Sequence, residues 1–378
     1  MLKLFLWLRY LHKRKIVFLS IAAVTLSVSL LIVVASLFTG FINTFEQAAV
    51  DAIGDVVISP LRTFKIKDYP LLIQRLEQTR MVEAATPLLI APGLLNLGQG
   101  NVRPVEIWGI DPGGRARVTD FKRYLWKQKD APGEPSFKVA DTPERTGGFV
   151  GIGVVTEPNE RTDEYDPNTI EAALGRRVFV TTGAMDQAQQ SGGSTPSFSK
   201  KTLIFWISDV VETGVYQFDQ GCIYLPIEQL QERLYPDEAS PVAEQILIKL
   251  TDGADTEVAL AEIRGVWQSF VRDHLDANPG LLKWTSIETA KQLQSKYVAA
   301  YKNQMDVLLV IFGVVSFSVV VLVFCIFYMI VTTKRKDIAI IKSCGTASRS
   351  VAVVFVGFGT CIVIVGSGIG AVLGHVIT

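Results

Sequence analysis

The chain has 378 residues, 49% of them apolar, with 37 basic and 37 acidic side chains and a formal net charge of zero. The zero hides an asymmetry: two short segments hold 10 of the basic residues and one acid, which leaves 27 basic against 36 acidic residues elsewhere, a net of −9. An acidic surface argues against a nucleic-acid partner.

Residues 1–15 form a basic tail containing Lys3, Arg9, Lys13, Arg14 and Lys15. An uncharged stretch follows over residues 16–43, long enough to cross a bilayer, which takes about 20 apolar residues at about 1.5 Å each. It outlasts the roughly 7–15-residue core of a signal peptide and closes on no small-residue cleavage site, so it reads as an uncleaved anchor. Ser20, Thr25, Ser27 and Ser29 stud its inner half, a composition that lets helices approach closely. Two more apolar stretches, 305–333 and 350–378, flank a loop over 334–349. That loop carries Lys334, Arg335, Lys336, Lys342 and Arg349 against Asp337 alone. Positive charge marks the cytoplasmic side. The tail and the loop then face the cytoplasm, and the 44–304 region and the C-terminus lie outside.

The external region predicts mixed α and β. A strand is expected over Asp55 to Ser59, stopped by Pro60, and a helix over Tyr69 to Glu77 from the spacing of Leu72, Ile73 and Leu76. Val102 to Ile110 reads as a strand closed by the turn Asp111-Pro112-Gly113-Gly114. Thr202 to Val211, Cys222 to Leu225 and Glu244 to Leu250 read as strands, and Pro226 to Leu234 and Thr256 to His274 as helices. Residues 129–168 and 183–200 are rich in Pro, Gly, Ser and polar side chains and read as loops. Only Cys222 of the 4 cysteines falls in this region, so no internal disulfide is expected and the region rests on its core. A helix capped by Ser286 is expected to run through Tyr297 and Tyr301 into the second span without a break, since no Pro or Gly occurs before Gly313. The expected fold is a membrane protein with a three-span α-helical transmembrane part and a large α+β extracytoplasmic domain.

Chemistry is not apparent. There is no G-x-x-x-x-G-K-[ST] phosphate loop and no H-E-x-x-H pair. His12, His274 and His375 fall in three different compartments and share no metal site or triad. Asp163-Glu164 sits in a Pro/Gly-rich loop and reads as solvated. No catalytic residue, metal or bound cofactor is expected, and the chain does not read as an enzyme.

Two features point to helix contacts instead. In the third span Gly366, Gly370 and Gly374 recur every fourth residue and line one helix face, a pattern that admits a close neighbour. In the short loop, Ile338 and Ile341 share a face if the segment is helical, with Lys334 and Lys342 at its flanks and Gly345 as a stop. So short an amphipathic helix needs a partner, either the membrane surface or a cytoplasmic protein. A plain basic turn is the alternative reading.

The run Val331-Thr332-Thr333-Lys334-Arg335-Lys336-Asp337-Ile338-Ala339-Ile340-Ile341-Lys342-Ser343-Cys344-Gly345 resembles the signature of FtsX-like permeases, the membrane subunits of MacB and LolC/LolE type ABC transporters. Leu31 to Phe41, Trp108-Gly109-Ile110-Asp111-Pro112 and Val211-Glu212-Thr213-Gly214-Val215-Tyr216-Gln217-Phe218-Asp219 are similar to the LolC/LolE branch. The resemblance implies an external domain of the MacB periplasmic-core type. It also implies a cytoplasmic coupling helix that docks on a separate ABC ATPase subunit, where ATP and Mg are used. The coupling residues would be Lys334, Arg335, Asp337, Ile338, Ile341, Lys342 and Gly345, and the cargo-facing surface Val33, Leu37, Phe41, Leu309 and Phe312. Further expected partners are a second permease chain, identical or different, a periplasmic acceptor or adaptor protein, and membrane lipids. The expected cargo is a lipoprotein, a lipid or another hydrophobic molecule, handled on the outer side of the inner membrane. The resemblance calls for a fourth span after Thr378, and the glycine face would lack its usual neighbour without it. A non-transporting signalling scaffold that controls an effector such as a cell-wall hydrolase is the alternative function. A membrane-anchored binding protein without an ATPase ranks below both.

Overall fold

The computed structural model describes residues 15–61, 63–98, 102–139, 145–159, 161–162, 164–185, 198–333, 335–343 and 348–377. These form two units, Phe45–Ser295 and a helical unit made of the chain up to Thr44 together with Lys296–Thr378.

The chain opens with α1 (Lys15–Ile53). The folded unit then runs β1 (Val56–Pro60), β2 (Ile66–Lys67), α2 (Tyr69–Glu77), β3 (Val82–Asn96), β4 (Val102–Ile110) and α3 (Pro112–Val118). Next come β5 (Gly147–Gly151), α4 (Ile152–Val155), α5 (Pro167–Ala173), β6 (Arg177–Met185), β7 (Phe198–Val211), α6 (Tyr216–Gly221), β8 (Cys222–Pro226) and α7 (Ile227–Leu234). The unit ends with β9 (Val242–Ala243), β10 (Gln245–Leu250), α8 (Thr256–His274), α9 (Pro279–Lys283) and β11 (Thr285–Thr289). Three further helices follow, α10 (Ala290–Thr333), α11 (Arg335–Ser343) and α12 (Ser348–Ile377).

Nine strands make one sheet in the order β11-β1-β10-β3-β4-β8-β5-β7-β6, and β3 also pairs with β6. Strand β3 is long enough to do both. Val82–Leu88 pairs with β10, and Gly93–Asn96 pairs with β6 on the same edge. The second pairing closes β3, β4, β8, β5, β7 and β6 into a ring. All six ring strands send side chains into one apolar cluster, among them Leu89, Ile107, Ile223, Val150, Phe205 and Val180. Their common face is therefore the interior, as the period of two along a strand requires.

The open part, β11-β1-β10-β3, is covered on both faces. Val56, Ile58, Ile246 and Ile248 face Leu72 and Leu76 of α2 and Leu260, Ile263, Trp267 and Phe270 of α8. Val57, Leu247 and Leu88 point the other way, with Trp108, Val118 and Phe121. Antiparallel pairs predominate, with β4–β8 and β5–β7 parallel. This mixture is the expected α+β class.

Four expectations need correction. The turn at Asp111 is the start of α3: the Asp111 carboxylate accepts from the Gly113 and Gly114 N–H groups at 3.3 and 2.9 Å, and Pro112 takes the first helical position. Residues 129–168 contain β5 and the short helix α4, and α5 begins at Pro167. Of the 183–200 loop, Gly183 to Met185 and Phe198 to Lys200 continue β6 and β7. Ser286 caps no helix, because it lies in β11 opposite Ser59. The helix starts at Ala290, where Thr289 and Gln292 bond each other's backbone N–H groups at 3.1 Å, a capping box.

Candidate functional site

The folded unit holds α1 and α10 at one small junction. After Ile53 the chain turns at Gly54, whose φ of +80° is left-handed. A Cβ there would lie 2.9 Å from Val118 Cγ1 and 3.0 Å from the Ile248 carbonyl oxygen, so only glycine fits. Asp55 then makes three hydrogen bonds to two elements. Its N–H donates to the Ile248 carbonyl at 2.9 Å, its carboxylate accepts from the Leu250 N–H at 2.8 Å, and its carbonyl accepts from the Ala290 N–H at 3.0 Å. The end of α1, the tip of β10 and the start of α10 are thereby joined through one residue.

The two external motifs that carry the family resemblance meet in space. Trp108 packs edge-on against Phe218 and Tyr224, with centroids 5.5 and 5.8 Å apart. Gly109 sits under Leu230 of α7, where a Cβ would be 2.9 Å from Leu230 Cδ2. The Arg115 guanidinium, 2% exposed, lies over the rings of Trp108 and Phe121 at 4.9 and 5.5 Å. Burial lowers its pKa from the ordinary arginine value. The Asp219 carboxylate accepts from Thr213 N–H, Thr213 Oγ1 and Gly214 N–H at 2.7, 2.8 and 2.9 Å, which folds the second motif into a closed loop. Burial nonetheless raises the Asp219 pKa, and that of Asp209 for the same reason. Asp209 accepts from the N–H groups of Lys127, Gln128 and Val210 at 2.9, 2.9 and 2.8 Å. Burial pushes the Cys222 thiol up to about 12, which makes it an inert core group. These residues build and lock the domain, and no group of His, Cys, Asp and Glu suited to a metal occurs among the described residues. Sequence reasoning missed Gly54, Asp55, Arg115 and Asp209. A Gly-Asp pair directly after a long helix was the one signal for the junction, and nothing local marks Arg115 as buried.

Among the described residues, the helical unit has three helices long and apolar enough to cross a membrane, within Phe18–Gly40, Lys302–Thr333 and Gly359–Ile377. The glycine stripe of α12 faces α1. A Cβ at Gly366 would be 2.9 Å from Val24 Cβ, at Gly370 2.7 Å from the Thr25 carbonyl oxygen, and at Gly374 3.0 Å from Ile32 Cβ. This glycine face therefore packs against the first helix. Thr25 Oγ1 donates to the Gly366 carbonyl at 3.0 Å, and Ser27 and Ser316 hydroxyls lie 2.9 Å apart between α1 and α10. Val33 and Leu37 lie on α1, the first half-buried and the second exposed, with Phe41 one turn further on. Leu309 and Phe312 lie half-buried on α10. Arg335 opens α11 exposed, and Asp337, Ile338, Ile341 and Lys342 follow along that helix. Lys334 and Gly345 lie outside the described residues.

In sequence, the α+β domain is inserted between long apolar helices. Residues 17–266 match the MacB-like periplasmic core domain, and the chain belongs to that family. It is a permease of the ABC-transporter type, of the MacB and LolC kind, and such a permease subunit is not itself catalytic. The lipoprotein-releasing system transmembrane protein LolC of Neisseria meningitidis serogroup B is 24% identical over 370 residues, covering 94% of this chain and 76% of that protein. Among solved structures, the periplasmic region of MacB from Actinobacillus actinomycetemcomitans is 13% identical with a TM-score of 0.39, covering 66% of this chain and 95% of that one. The extracellular domain of the noncanonic ABC-type transporter YknZ from Gram-positive bacteria is 12% identical with a TM-score of 0.33, covering 62% and 98%.

Proposed function

We propose that this permease transmits movement rather than conducting cargo through a pore. A separate cytoplasmic ABC ATPase grips the segment Lys334 to Gly345, and ATP binding and hydrolysis there shift the helices and the outer domain. The observation that carries this reading is the unbroken 44-residue helix α10. At about 1.5 Å per residue it spans roughly 65 Å, and a continuous helix carries a push where a flexible linker would absorb it. Its start is anchored to β11 by the capping box and to Asp55 by the Ala290 hydrogen bond. The relative named as a lipoprotein-releasing protein supports a lipidated or otherwise hydrophobic cargo, taken up on the outer side of the inner membrane. Val33, Leu37, Phe41, Leu309 and Phe312 would face it. A second permease chain, a periplasmic acceptor or adaptor and membrane lipids complete the assembly, with the N-terminus cytoplasmic.

The test is co-purification with the ABC ATPase subunits of the same cell. Reversing the charge at Lys334, Arg335 and Lys342 should abolish association and leave the chain in the membrane. Unchanged association refutes the coupling role. If the ATPase binds but a labelled lipidated cargo stays put in reconstituted vesicles, the chain is a signalling scaffold and transport is refuted.

A further inference from the structure

We draw no further inference here: the strongest candidate, the exposed apolar face that Leu94, Val102 and Ile204 form with the half-buried Phe179 on the outside of the strand ring, is an unpartnered sheet face, and nothing in the structure shows what covers it.

Discussion

Replacing Gly54 with alanine probes the junction that holds α1 and α10, and the structure supplies its own control. Gly54 and Gly253 have nearly the same left-handed φ, +80° and +79°, but a Cβ at Gly253 meets nothing within 4 Å. Alanine in that conformation costs about 1–2 kcal/mol at either position. Reduced freedom of the unfolded chain returns about 0.4–1 kcal/mol at both. Only at Gly54 does the new methyl press on Val118 and on the Ile248 carbonyl. Backbone cannot swing aside as a flexible side chain does, so overpacking of this kind adds about 1–3 kcal/mol. Gly54→Ala should therefore lose about 2–4 kcal/mol and Gly253→Ala about 1 kcal/mol or less. Urea unfolding of the full chain in detergent micelles reads the difference, with the buried Trp108 and Trp267 as fluorescence reporters. At an m-value of about 2–3 kcal/mol/M the two midpoints should differ by roughly 0.5–1.5 M. Coincident midpoints would show that the junction around Gly54 is not tightly packed.

Other perturbations follow from the same geometry. In a chain without native cysteines, Ser29→Cys reports on the α1–α12 contact, because Ser29 is 9% exposed there. Adding Gly370→Leu should speed its labelling by a maleimide several-fold, and adding Gly368→Leu should not, since a Cβ at Gly368 has open space. Asp209→Ala leaves three backbone N–H groups without their acceptor. At about 1–3 kcal/mol each, the loss should be 3 kcal/mol or more, visible as a lower urea midpoint. The carboxyls of Asp209, Glu212 and Asp219 have pKa values raised mainly by burial, so the folded state holds their protons more tightly than the unfolded chain. Their contribution to stability is therefore greatest at low pH. It declines as pH rises from about 4, the ordinary carboxylate range, through the raised folded values. Asp219→Asn should flatten that decline in a comparison of urea midpoints from about pH 4 to about pH 7.

The regular elements with a clean pattern were legible in the sequence. Leu72 and Leu76 mark the buried side of α2, Ile263, Phe270 and Val271 trace the buried side of α8, and Ile246, Ile248 and Leu250 share one face of β10. The central strand was not legible, because β3 contains Pro87, Pro92 and Gly93, each a signal against a strand. Tertiary pairing overrides those signals. Gly93 is needed because a Cβ there would lie 2.8 Å from Ile107 Cδ1 and 3.0 Å from Val180 Cγ2. Helix starts were read one element off at Asp111 and Ser286, since a capping residue and a turn or strand residue look alike until their bonds are known. The long helix into the second apolar stretch was legible because nothing in Ala290 to Phe312 breaks it. The glycine period in α12 announced a close neighbour, but which helix it meets is decided by folding, beyond the reach of local pattern.

The double membership of β3 governs how this protein comes apart. A single run of backbone is shared by ring and open sheet, so no point of cleavage divides them into self-sufficient pieces: a break before Val82 leaves β3 with the ring and takes β1 from between β10 and β11, and one after Asn96 severs β3 from β4. Melting, proteolysis and attempts to produce either half by itself should all meet one indivisible body.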